Sequence, residues 1–552
     1  MRGDGQDACT LAAALPGRKE ALQAVWFVHL GVMLDDGGVA HALGRLDQIL
    51  SPLLQRDLRA GDLTRDGALE LCECLFTKAS ETVNLLEGLA TIGIGGNTTF
   101  IELTIGGVDR EGRDATNELS FLFLDAVEEM KTIQPNCAAR LHPGTPEEFR
   151  RRVAEVMAGG SVSLQVVNDE VIIDAYTRKN VALEDAREYA IIGCVEPTPS
   201  GLTYASTDAF FFNTVLCLEM VLGGGKSWIL GTEGADTGDP RGFETFDDLM
   251  QAYRAQIAHF VRHLASCFHA IGQAHRELLP CPFQSAVIRD CVGKGLDVKR
   301  GGARYNFTGG NAIGTAIVAD SLMAIKKFVF DEKKISMHAM IEILRNDFEG
   351  HEDTRLMFKN RAPKYGNDED EVDRIAKELI DIFSGELDRY ENPRGGSFST
   401  SIYSVTSHVA MGNLVSATPD GRKCRTPLSV GISPAHGRDR RGPTLAMKSA
   451  AKIDYRKVAN GSAFNLKFHP SALRGEEGIE SFANLVRTFF RLGGQQLQVD
   501  VVDSDTLREA QEHPEQYQDL IVRVAGYSAR FVDLNRAMQD EFIARTEQSR
   551  IG

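Results

Sequence analysis

Hydrophobic residues recur at three- and four-residue steps along much of the chain. That spacing lines one face of an α-helix. It predicts helices from Arg18 through Val28 and over 66–86, 116–131, 145–158, 208–223, 245–277, 316–329, 335–347, 369–385 and 477–491. Short unbroken apolar runs lie between them, at 100–105, 163–167, 189–192, 286–288, 497–502 and 520–525. Runs of this length bounded by turns predict buried strands. Helices alternating with buried strands give an α/β fold, for which a barrel is the closed form. Residues 1–17 carry little pattern, and 367–371, 391–397 and 417–443 have loop composition. A division into 1–415 and 416–552 follows.

Composition narrows the partners. With 61 basic and 77 acidic side chains the formal net charge is −16. Nucleic acid and anionic membrane both need a basic footprint, so neither is expected. The apolar run at 21–33 includes His29 and is too short to span a bilayer. Ten cysteines show no pairing rhythm and no CxxC spacing, which predicts buried thiols in a reducing cytoplasm and no metal site.

Three short matches fail on their own chemistry. Gly223-Gly224-Gly225-Lys226-Ser227 would complete a phosphate-binding loop only with glycine at 220, where Met220 stands. Gly93-Ile94-Gly95-Gly96 needs a glycine at 98, where Thr98 stands. His259 and His263 share a helix face without the glutamate of a zinc protease.

Two other motifs carry chemistry. In Gly193-Cys194-Val195-Glu196-Pro197 an apolar run ends in a thiol and a carboxylate two residues apart. Side chains so spaced in extended chain face the same way, so Cys194 and Glu196 share one cavity. Pro197, lacking an N–H, would hold the tip as a turn. A buried hydrophobe is the ordinary fate of a cysteine, and an ion-paired structural carboxylate that of a buried glutamate. Near the C-terminus, Arg523-Val524-Ala525-Gly526-Tyr527-Ser528-Ala529-Arg530-Phe531 places a glycine after a buried run. Alone, that glycine would serve a turn with positive φ.

Together the two motifs resemble the thiyl loop and radical loop of the glycyl radical enzymes. Further matching segments are Asp114-Ala115-Thr116-Asn117-Glu118-Leu119, Tyr305-Asn306-Phe307-Thr308-Gly309, Thr418-Pro419-Asp420-Gly421-Arg422 and Asn465-Leu466-Lys467, with Gly95-Gly96-Asn97. The resemblance implies a ten-strand α/β barrel surrounded by helices, with both loops meeting inside. It implies a radical stored on Gly526 and relayed through Cys194 to a small-molecule substrate. A separate radical-SAM activating enzyme with an iron–sulfur cluster would install that radical, and no cofactor would stay bound. A homodimer is the usual assembly.

Val195 stands where the acyl-transferring branch has a second cysteine. The resemblance is therefore to the eliminating branch of glycerol, diol and hydroxyproline dehydratases and choline trimethylamine-lyase. There Glu196 would be the base, and Asp208 falls where a substrate hydroxyl is bound. Asp208 fits equally as the N-cap of a helix starting near Ala209. Val39 and Ala40 replace a polar pair of the diol dehydratases, and an arylacetate-type decarboxylase is the second enzymatic expectation. A long helical region that precedes this segment in the family is not in the sequence. An inactive fragment, or one subunit completed by a separate chain, is the expectation of another class.

Overall fold

The computed structural model describes residues 17–84, 95–96 and 99–551. The stretch 1–16, and Gly93, Ile94 and Asn97 of the glycine-rich segment, lie outside the described residues. Fourteen strands are present among the described residues: β1 Ala40–Gly44, β2 Phe100–Gly106, β3 Asn136–Leu141, β4 Leu164–Asn168, β5 Tyr189–Ile192, β6 Glu196–Pro199, β7 Ser206–Asn213, β8 Thr308–Ile313, β9 Phe398–Ser401, β10 Asn465–Phe468, β11 Gln496–Val501, β12 Ile521–Arg523, β13 Ser528–Arg530 and β14 Glu547–Gln548.

Seven of them form one sheet in the order β1-β2-β3-β4-β11-β10-β14. β1 to β4 run parallel, β11 lies antiparallel to β4, and β10 runs parallel to β11. A second, wholly parallel sheet has the order β7-β8-β9. The two sheets meet just past β9. Ile402 N–H donates to the Gly461 carbonyl at 3.0 Å, and Ala463 N–H donates to Ile402 at 2.9 Å. Helices link the parallel strands, as parallel pairing demands of any crossover. The α/β class read from the alternation is the class observed.

The helices cover the sheets with their apolar faces. In Asp370–Leu387 the buried positions include Val372, Ile375, Ala376, Leu379, Ile380 and Phe383, the three- and four-residue stripe. That stripe packs on Thr315–Ile325, every residue of which is buried. Each such Ile, Leu or Phe contributes roughly 1.5–3 kcal/mol on burial. No helix among the described residues is long and apolar enough to cross a membrane.

Several expectations on local structure change. The stretch 208–223 is not one helix: β7 runs to Asn213 and a helix covers Thr214–Leu222. Phe210, Phe211 and Phe212 pair in register with Gly310, Asn311 and Ala312 of β8, and aromatic residues suit a packed pleated surface. The run at 286–288 is the end of helix Pro282–Val287, not a strand. Strands β1, β3, β8, β9 and β10 lack a long apolar run. β8 reads Thr-Gly-Gly-Asn-Ala-Ile and β9 Phe-Ser-Thr-Ser, yet both are buried throughout. Their polar side chains are satisfied inside the protein, beside the site described next.

Candidate active site

Two hairpins bring their tips together. The first pairs β5 with β6 in antiparallel register, with Ile192 opposite Glu196. Gly193, Cys194 and Val195 form its tip. Gly193 adopts φ +66, and a β-carbon there would lie 2.9 Å from the Ala40 Cβ. Pro197 sits within β6 opposite Ile191, so it continues the return strand and does not hold a turn, contrary to the expectation. The tip is closed by Glu196 itself, whose Oε2 accepts the N–H groups of Cys194 at 2.9 Å and Val195 at 2.6 Å.

The second hairpin pairs β12 with β13, and Val524 to Tyr527 form its tip. Val524 N–H donates to the Tyr527 carbonyl at 2.8 Å. Gly526 adopts φ +96, and a β-carbon on it would stand 2.5 Å from Cys194 Cβ and 3.3 Å from Cys194 Sγ. No L side chain fits that space or favours that φ. Gly526 N–H donates to Gln498 Oε1 at 3.2 Å. The Val524 carbonyl accepts from Asn465 Nδ2 at 3.1 Å and Arg545 Nη2 at 2.8 Å. Val524, Ala525 and Tyr527 are fully buried.

Cys194 is 3% exposed and Glu196 1%. Burial pushes the Cys194 thiol well above its ordinary pKa, and the carboxylates of Glu196 and Asp208 push it the same way. The sulfur therefore keeps its hydrogen at neutral pH. Glu196 Oε1 accepts from Thr207 Oγ1 at 3.1 Å and from Tyr403 Oη at 2.8 Å. Burial first, then Asp208, raises the Glu196 carboxyl to about 7, while these donors pull it back. Glu196 has hydrogen-bond donors and, among the described residues, no ion-pair partner, so it is not read as an ion-paired structural glutamate.

Asp208 is part of β7. It does not cap a helix; the next helix starts at Thr214 and is capped by Asn213, whose Oδ1 accepts Leu216 N–H at 3.0 Å. Asp208 Oδ1 accepts from Tyr403 Oη at 2.9 Å and Asn311 Nδ2 at 2.9 Å. Burial raises its carboxyl to about 6. Cys194, Glu196, Gly526 and Asp208 thus lie in one connected neighbourhood.

Beside it opens a cavity of about 420 Å³. Thr207 and Asp208 line it, with Ile192, Val39, Ala40 and His41. His41 Nε2 donates to the Gly38 carbonyl at 2.8 Å, and burial lowers the ring's pKa. His29, which also lines the cavity, is pushed down to about 3 by burial and by His41. Both imidazoles are neutral at pH 7.

Thr207 and Tyr403 were not singled out in the sequence. Thr207 is next to Asp208, but only the strand assignment turns it toward Glu196. Tyr403 lies two residues past β9, a position that no spacing rule marks. Among the described residues no cluster of histidine, cysteine and carboxylate is placed to hold a metal ion.

Residues 14–412 match the family described as pyruvate formate lyase-like, and 428–532 match the one described as glycine radical. Trans-4-hydroxy-L-proline dehydratase of Clostridioides difficile is 38% identical, over 96% of this chain and 67% of its own. Isethionate sulfite-lyase of Oleidesulfovibrio alaskensis is 38% identical, over 98% of this chain and 66% of its own. The glycerol-bound B12-independent glycerol dehydratase of Clostridium butyricum superposes with a TM-score of 0.94 at 40% identity, covering 97% of this chain and 67% of that one. The chain spans about two thirds of the length of these relatives. It belongs to the pyruvate formate lyase-like family of glycyl radical proteins.

Proposed function

We propose that this chain is the catalytic part of a glycyl radical lyase that eliminates a group next to a hydroxyl-bearing carbon. The observation that carries it is the contact between the Gly526 and Cys194 tips, beside a carboxylate and a cavity. An unpaired electron at Gly526 is delocalised between amide nitrogen and carbonyl at a planar centre, which a side chain would crowd. The Cys194 thiol gives its hydrogen atom to Gly526. The resulting sulfur radical takes a hydrogen atom from the substrate carbon in the cavity. Glu196, poised near neutrality, takes the hydroxyl proton from that carbon. The neighbouring group leaves, and Cys194 returns the hydrogen atom to the product radical. Asp208, which lines the cavity, meets the substrate's second polar group.

In this reading 1–415 furnish the cysteine and cavity, and 416–552 carry the glycine. A radical-SAM activating enzyme installs the radical in oxygen-free cytosol, and a homodimer or a chain supplying further N-terminal sequence completes the assembly. Decarboxylation of an arylacetate fits less well, because the carboxylate charge shared by Glu196 and Asp208 would repel a substrate carboxylate held beside it.

The test is anaerobic incubation with a radical-SAM activating enzyme and S-adenosylmethionine, followed by electron paramagnetic resonance. Glycerol, 1,2-propanediol, trans-4-hydroxy-L-proline and isethionate are then offered, and released water-loss products or sulfite are measured. A doublet that is lost in Gly526→Ala, with turnover that is lost in Cys194→Ala, is the expected result. A doublet that persists in Gly526→Ala refutes the assignment.

A further inference from the structure

Tyr403 is fully buried between two carboxyl groups. Its Oη stands 2.8 Å from Glu196 Oε1 and 2.9 Å from Asp208 Oδ1. A phenol has a single proton to give. With both carboxyls ionised, one of these contacts would set lone pairs against lone pairs at a fully buried phenol. A buried carboxylate and a half-buried one bridged by a single phenol cannot both stay charged cheaply in any case. One of them therefore holds a proton and donates it to Tyr403 Oη, while Tyr403 donates to the other.

The remaining partners decide which is which. Besides Tyr403, Glu196 accepts from three donors: the N–H groups of Cys194 and Val195 and the Thr207 hydroxyl. Asp208 has one other donor, Asn311 Nδ2. The orientation of Asn311 is itself fixed, because its Oδ1 accepts from Ser401 Oγ at 2.6 Å. Donors stabilise a carboxylate and not a carboxylic acid. Three such donors against one put the charge on Glu196 and the proton on Asp208, against the pull of burial, which raises Glu196 to about 7 and Asp208 only to about 6.

We propose that Tyr403 is a relay residue that holds the one proton shared by Glu196 and Asp208, and so sets Glu196 as base and Asp208 as acid. Its catalytic meaning rests on the lyase reading above. In that cycle Glu196 takes the proton of the substrate hydroxyl as the substrate radical forms. Asp208 gives its proton to the departing hydroxyl, which leaves as water. Glu196 is then protonated and Asp208 ionised. Glu196 passes its proton to Tyr403 Oη as Tyr403 passes its own to Asp208, and the starting state returns. No proton enters or leaves the site, and a 1,2-diol becomes a carbonyl compound and water.

The experiment is a pH titration of the unactivated chain by infrared difference spectroscopy, comparing the natural protein with Asp208→Asn, Glu196→Gln and Tyr403→Phe. Near neutral pH, subtracting Asp208→Asn from the natural protein should reveal a protonated-carboxyl band. Subtracting Glu196→Gln should reveal a carboxylate band. Tyr403→Phe, which keeps the ring and loses the hydroxyl, should shift the titration midpoint of the pair by roughly one pH unit. A protonated band that disappears in Glu196→Gln instead, no protonated band at either position, or an unshifted Tyr403→Phe overturns the proposal. Should Tyr403→Phe fail to fold, the two near-isosteric carboxamide variants still locate the proton. These spectra need neither radical nor substrate, so they stand or fall apart from the glycyl signal.

Discussion

A β-carbon on Gly526 would stand 2.5 Å from the β-carbon of Cys194, closer than two such atoms ever approach. The φ of +96 adds backbone strain for any other residue. We expect Gly526→Ala to push the two tips apart, to lower the melting temperature by several degrees and to give no doublet after activation. Calorimetry and electron paramagnetic resonance on one preparation measure both. A variant with a natural melting temperature would show that the contact is looser than described.

The Cys194 hydrogen exchanges with solvent as any thiol hydrogen does, whereas a glycine Cα–H does not. If sulfur relays hydrogen to Gly526, activation in D2O should replace the α-hydrogen that splits the signal. The doublet is expected to collapse to a single line in the natural chain and to remain split in Cys194→Ala. Equal behaviour of the two would remove Cys194 from the route.

Gln498 Oε1 accepts from Gly526 N–H and, at 2.7 Å, from Arg523 Nε. Gln498→Leu strands both donors in a buried site, at a cost of roughly 2–4 kcal/mol. Chemical denaturation should register that loss. Activation should yield a smaller glycyl signal, because the tip loses its anchor on Gly526.

Asp320 lies in the fully buried helix Thr315–Ile325, and its Oδ1 accepts Tyr365 N–H at 2.8 Å. Burial pushes its carboxyl up to about 7, against the pull of Lys364. The folded chain thus keeps a proton that the unfolded chain releases between about pH 4 and pH 7. Stability falls as pH rises through that window. Asp320→Asn removes this dependence: the variant should match the natural chain near pH 4 and exceed it by up to about 4 kcal/mol above pH 7. Melting curves at both ends check the sign.

The two loop motifs were more legible than the scaffold around them. Cys194, Glu196 and Gly526 sit in short motifs whose residue types have few other uses together, and the structure brings them into one site. The long amphipathic helices were equally plain, since a stripe such as that of Asp370–Leu387 repeats over several turns. The site-lining strands were not. β8 and β9 are buried yet rich in Gly, Ser, Thr and Asn, because their side chains satisfy one another: Ser401 on Asn311, Asn311 on Asp208, Asn460 on Ser401. Polar sequence reads as loop unless those partners are known. Asp208 was misplaced on a helix for the same reason, and Tyr403, distant in sequence from both carboxyls, left no local trace.

The 420 Å³ cavity is bordered by Ile192, Thr207 and Asp208 but by neither Cys194 nor Gly526. In the lyase reading proposed above, storage and use of the unpaired electron would occupy different rooms, with the sulfur atom at 194 carrying it from one to the other. A metabolite therefore need never meet the reservoir, and the reservoir can serve cargoes of differing shape without being rebuilt for each.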